Sequence, residues 1–202
     1  MTDPSARLTV SRLGCERDDR MLFQDLAFNA RAGEIWQITG ANGAGKTTLL
    51  RILVGLHGFY QGQVRWSRPL APDLLYLGHD AGIREELSAR ENLQFSRALS
   101  GQSGDLDAAL AAVDLYGFED VPAGRLSAGQ RRRIALARLW LGGKSVWVLD
   151  EPYTAIDQAG VAKLDARLRE AAGAGVLILY TSHHRVGDGV RQLRLGAAGE
   201  GR

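Results

Sequence analysis

Nine consecutive residues carry the clearest chemical capacity in this chain: Gly40-Ala41-Asn42-Gly43-Ala44-Gly45-Lys46-Thr47-Thr48. They follow the apolar run Ile35-Trp36-Gln37-Ile38-Thr39 and open the helix-like run Leu49-Leu50-Arg51-Ile52-Leu53. Glycines at 40, 43 and 45 let the backbone turn through conformations closed to other residues and bring N–H groups against an anion. Lys46 adds a point charge suited to β- and γ-phosphates, Thr47 a hydroxyl suited to Mg²⁺, and the helix beginning there aims its positive dipole end at the same place. The bland alternative is a glycine-rich strand-to-helix turn in a chain with 25 glycines. A strand before the loop and a helix after it favour a nucleotide phosphate cradle, hence ATP with Mg²⁺.

Two further groups gain meaning beside that cradle. Val146-Trp147-Val148-Leu149 ends in Asp150-Glu151, the layout that puts carboxylates at the C-terminal end of a buried strand. In a parallel sheet the phosphate loop emerges at that edge too. Asp150 then suits Mg²⁺, and Glu151 suits the attacking water. A strand ending in a solvated turn before Pro152 would explain the acids if they stood alone. Ser127 and Gln130 have the spacing of a helix capping box, which by itself accounts for both. A box does not require Gly129, so this helix start also reads as a second anion-binding device. The arginines at 131, 132 and 133 read as a solvated helix face.

The elements that must position these groups alternate. Residues 8–10 and 22–28 have strand character and are separated by a polar turn at 15–20. The helix after Lys46 ends near Gly55, and short strands are expected at 62–66 and 74–77. Helical spacing takes over at 89–99, 105–115 and 125–141, which predicts an inserted helical subdomain over roughly residues 80–141 within one domain of 1–202. The pattern then resumes with a strand at 145–149, a helix at 158–171 and a strand at 176–180, as in a parallel sheet covered by helices. The tail after Arg185 shows no readable period.

Composition narrows the classes. The 202 residues are 45% hydrophobic and 24% charged, with a net charge of +2 that gives no argument for a nucleic-acid partner. The single Cys15 cannot form an internal disulfide or a thiolate metal cluster. No apolar run reaches the roughly 18 residues of a membrane span, and the first residues lack a secretory pattern. A cytosolic protein is expected, unless a partner holds it to a membrane.

The order of Lys46 and its loop, Leu126-Ser127-Ala128-Gly129-Gln130, Asp150-Glu151, Thr154-Ala155-Ile156-Asp157 and Thr181-Ser182-His183 resembles the nucleotide-binding domain of ABC ATPases over nearly the whole chain. The resemblance implies a P-loop α/β fold with N-terminal antiparallel strands and a head-to-tail homodimer with two ATP molecules at its seam. It implies that Ser127 and Gly129, with Gln130, meet the γ-phosphate held by the partner copy. His183 would position that phosphate and water, and Asp157 would link the two sites. Three departures stand out: His79 occupies the place of a glutamine that reaches Mg²⁺, Arg17 that of an aromatic residue stacked on adenine, and Ala128 that of a glycine. An imidazole is shorter and titrates near pH 6.5, while a guanidinium plane can still stack on a base.

A narrower resemblance rests on residues 15–18, 76–83, 117–122, 137–141 and 152–157. They are similar to the ATP-binding subunits of bacterial haem exporters in cytochrome c biogenesis. That implies an ATPase on the cytoplasmic face of the inner membrane, with integral partners and a role in haem delivery, although no residues here resemble a haem ligand site. A rival reading is a soluble ABC-type module that grips a macromolecule, but such proteins usually carry two sets of these motifs. A lone P-loop kinase leaves 126–130 and His183 without a role.

Overall fold

The computed structural model describes residues 5–182 and 189–196. The chain begins with β1 (Leu8–Arg17) and β2 (Arg20–Ala30), an antiparallel hairpin closed by Asp18-Asp19. Both turn residues have positive φ, 52° and 57°, the two-residue arrangement whose twist matches that of the flanking strands. The strands therefore run further into the polar segment than the side chains suggest, because Arg17 pairs directly with Arg20.

Next come β3 (Ile35–Thr39), α1 (Lys46–Leu53), β4 (Gln61–Trp66) and β5 (Leu74–Leu77). Helices α2 (Ala89–Ser100), α3 (Leu106–Ala112) and α4 (Ala128–Ala137) follow and touch one another. The last elements are β6 (Val146–Leu149), α5 (Gln158–Gly173), β7 (Leu177–Thr181) and β8 (Val190–Arg194). Ser88 and Glu91 form a capping box on α2, Ser127 and Gln130 do so on α4, and left-handed Gly101 ends α2. Each cap satisfies N–H or C=O groups that a helix end otherwise leaves unpaired. The stretch 125–141 is not one helix: Ser127 restarts it, and it tightens to a 3₁₀ turn at Arg138–Trp140.

The strands form two sheets. One is antiparallel with order β2-β1-β4; the other is parallel with order β5-β6-β7-β3-β8. Alternation along the central strands divides the core. Val146, Val148, Leu177 and Leu179 face α1 and the antiparallel sheet, whereas Trp147, Leu149, Ile178 and Tyr180 face the helices that follow β5. Strands buried on both faces read as unbroken apolar runs, which is why β6 and β7 are visible in the sequence. The strand β8, at the sheet edge beside β3, is not. Its residues VRQLR are half-buried at only two positions, so no period emerges.

Candidate nucleotide site

The site lies where β3, β6 and β7 end. Thr39 closes β3, and the chain turns through Gly40, Gly43 and Gly45 at φ 152°, 77° and 89° before α1 starts. A Cβ on Gly40 would sit 2.6 Å from the Leu195 carbonyl oxygen, and one on Gly45 3.0 Å from the Leu22 Cβ. Both glycines therefore serve close approach as well as an unusual φ. Gly45 is the N-cap of α1 and offers no side-chain acceptor, so the first N–H groups of the helix point into the loop with no cap from Gly45, an arrangement suited to an anion. The Lys46 ammonium donates to the carbonyls of Gly40 at 2.9 Å and Ala41 at 3.3 Å. An open cleft of about 300 Å³ is lined by Arg17, Leu22, Asn42, Gly43, Ala44, Gly45, Lys46, Thr47, Thr48 and Glu151. A neighbouring cleft of about 590 Å³ adds Arg20, Gly40, Ala41 and Arg194.

The acid pair reaches the loop through hydroxyls. Thr47 Oγ1 donates to Asp150 Oδ2 at 2.8 Å, and Thr181 Oγ1 donates to Asp150 Oδ1 at 2.7 Å. Asp150 is 1% exposed, and a carboxylate so buried requires such partners. Glu151 takes a left-handed backbone, φ 49°, and its N–H donates to Thr181 Oγ1 at 2.8 Å. Arg132 clamps the same turn by donating to the carbonyls of Asp150 at 2.9 Å, Glu151 at 2.8 Å and Gly78 at 3.3 Å. Burial pushes its guanidinium pKa down, while the charges of Asp150 and Glu151 oppose that. The solvated-face reading of the arginine run fails here, since Arg132 is buried. Its value lies in five fixed donors that satisfy carbonyls a turn leaves open.

Thr47 Oγ1 and Asp150 Oδ2 are hard oxygens side by side, a donor set that fits Mg²⁺, which keeps most of its shell as water and phosphate oxygens. Among the described residues no group of three or more His, Cys, Asp or Glu could hold a metal, so the fit is to a nucleotide-borne cation rather than to a protein cage.

The other sequence candidates lie apart. Ser127, Gly129 and Gln130 line neither cleft. Ser127 Oγ accepts from the Gln130 N–H at 3.1 Å, which leaves the hydroxyl proton free to donate. A Cβ on Gly129 would lie 2.9 Å from the Ala155 carbonyl oxygen, so packing within the chain already calls for glycine there. Asp157 accepts from the Gly160 N–H at 2.8 Å and pairs with Arg133 at 2.7 Å. The Gly160 bond, then Arg133, lowers its pKa against an opposing burial effect. His79 follows β5 and is exposed. Arg17 lies against Asp18 at 3.3 Å and lines the cleft. His183 lies outside the described residues. Leu22 and Thr181 carried no sequence signal, because an isolated leucine or threonine in a strand is ordinary.

The ABC transporter family model matches residues 23–154, from β2 through the phosphate loop to the acid turn. The cytochrome c biogenesis ATP-binding export protein CcmA of Alcanivorax borkumensis is 68% identical over 194 residues, covering 96% of this chain and 89% of that protein. The chain belongs to the ABC transporter family, among its cytochrome c biogenesis ATP-binding export proteins. The protein of the same description from Salmonella typhi is 49% identical across 96% of this chain and 99% of its own length. In fold, an ABC transporter ATP-binding protein from Pyrococcus furiosus superposes with a TM-score of 0.80 at 21% identity, covering 93% and 96% of the two chains. A dimeric ATP-binding cassette in a post-hydrolysis state with ADP and Pi also gives 0.80, at 19% identity over 93% and 94%. These ABC ATPases share the parallel core and the N-terminal antiparallel sheet. Among the described residues of this family member, no helix is long and apolar enough to cross a membrane.

Proposed function

We propose that this ABC ATPase powers a membrane complex that handles haem in cytochrome c biogenesis, as a homodimer bound to integral subunits on the cytoplasmic face of the inner membrane. The observation that carries the ATPase part is the hydrogen bond from Thr47 to Asp150, which ties the phosphate loop to the acid strand. Lys46 exchanges its loop carbonyls for β- and γ-phosphate oxygens, and the N–H groups of residues 43–48 surround the same charge. Arg17 and Leu22 face the base. Thr47 and Asp150 hold Mg²⁺, which supplies positive charge to the phosphate oxygens when bound. Glu151 orients or deprotonates the attacking water, His183 supports it, and the transferred phosphoryl group leaves ADP. Ser127, Gly129 and Gln130 of a second copy cover the γ-phosphate, Asp157 couples the two sites, and His79 relays nucleotide state toward the membrane subunits. The soluble macromolecule-gripping alternative lacks a supporting observation, whereas the 68% relative is named an export protein.

The test pairs two variants. Lys46→Ala is expected to weaken ATP binding at least tenfold, and Glu151→Gln to keep binding while lowering kcat by about a hundredfold and trapping a dimer with ATP. Wild-type turnover in Glu151→Gln assigns the base elsewhere, and unchanged ATP affinity in Lys46→Ala removes the nucleotide assignment. Co-purification with membrane-spanning subunits tests the haem-handling part.

A further inference from the structure

The sheet order places β7 between β6, which carries the acids, and β3, which carries the phosphate loop. Two strand spacings, roughly 9.6 Å, thus separate the two chemical elements. Thr181, the last residue of β7, stands in that gap with 0% exposure. Its hydroxyl has one proton and two lone pairs, and its neighbours fix how each is used. The Glu151 amide can only donate, so Thr181 Oγ1 accepts from it at 2.8 Å. The hydroxyl proton then goes to Asp150 Oδ1 at 2.7 Å, which leaves Asp150 Oδ2 for Thr47.

We propose that Thr181 is a positioning residue that sets both acids at once: it aims Asp150 at the phosphate loop and holds Glu151 in its left-handed turn. The role follows from substitution logic. Valine has nearly the same shape but leaves a buried amide and a buried carboxylate oxygen without that partner. A left-handed non-glycine residue persists only where its surroundings hold it, so the Glu151 turn relaxes toward ordinary φ. Asp150 then rotates about the single anchor that remains, Thr47. Thr181 touches neither nucleotide nor water; it acts through the two carboxylates.

The inference rests on the ATPase reading for its consequence but not for its geometry, so the test uses both kinds of readout on the full chain. In nucleotide-free protein, amide hydrogen exchange at Glu151 is expected to quicken about tenfold or more in Thr181→Val and to stay within about threefold in Thr181→Ser, which keeps the hydroxyl. In steady state, Thr181→Val is expected to lose about tenfold or more in kcat with KM for ATP within about threefold, and Thr181→Ser to recover most of the loss. Should the valine variant not fold, Thr181→Cys, of similar size but with a weak donor and acceptor, is read in its place. Unchanged Glu151 exchange in the valine variant overturns the proposal, as does a kcat within twofold of wild type. Equal losses in the serine and valine variants overturn it too, since they point to packing alone. A wild-type chain that hydrolyses no ATP under any condition defeats the ATPase reading instead, and the exchange measurement still decides the role of Thr181.

Discussion

Replacing Gly45 with alanine probes whether the phosphate loop is held in a conformation its neighbours enforce. The backbone there has φ 89° and ψ 15°, and a left-handed alanine costs about 1–2 kcal/mol more than glycine. The added methyl would lie 3.0 Å from the Leu22 Cβ and 3.2 Å from two Phe23 ring atoms. Phe23 is buried, and crowding a packed core costs about 1–3 kcal/mol. The total is roughly 2–5 kcal/mol, and it can appear in two places. If the loop keeps its shape, the whole cost falls on stability. If the loop relaxes, stability suffers less and nucleotide affinity suffers more, because the binding geometry must be restored on ligation. The sum of the two losses is the conserved quantity. Urea unfolding without nucleotide gives one part, and calorimetric titration with ATP gives the other. A share of about 2 kcal/mol in binding corresponds to a roughly thirtyfold weaker Kd. A combined loss below about 0.5 kcal/mol would refute the claim that Leu22 and Phe23 dictate glycine at this position.

Two further expectations concern charge. Arg138 has its Nε buried without a hydrogen bond, and burial alone pushes its pKa down, with no opposing carboxylate. Arg138→Met should therefore leave the isolated chain as stable or up to about 3 kcal/mol more stable, read as a rise in the urea midpoint, and a clear fall would show that the guanidinium has a partner. Asp157 has a folded pKa below its ordinary value through Gly160 and Arg133, so its stabilisation is complete above about pH 5 and fades as the pH falls through the folded pKa. The stability gap between wild type and Asp157→Asn should accordingly shrink below about pH 4, and a gap constant from pH 6 to 2.5 would contradict this.

The phosphate loop was legible because its glycines, Lys46 and Thr47 are rare in combination and lie between elements of opposite period. The fold class was legible because β6 and β7 are buried on both faces and hence uniformly apolar. Other features depend on partners distant in sequence. Nothing local distinguishes Arg132 from Arg131 and Arg133, yet only Arg132 reaches the carbonyls of Asp150 and Glu151. Gly129 reads locally as an anion device, whereas the approach of Ala155, more than a full helix downstream, already demands it. The edge strand β8 escaped because a strand with one neighbour needs few apolar residues. Thr181 escaped because its hydroxyl acts on residues from another strand.

The place of β3 in the sheet also bears on how the protein is made. Its hydrogen-bonding partners on both sides, β7 and β8, come from far downstream in the chain, whereas β1, β2 and β4 pair with near neighbours in sequence. Contacts of long sequence separation close late, since the loop entropy must be overcome first. As the chain leaves the ribosome, the antiparallel sheet can assemble while the phosphate loop still hangs on an unpaired strand. The nucleotide site is thus encoded in the first quarter of the chain and completed only by its last strands.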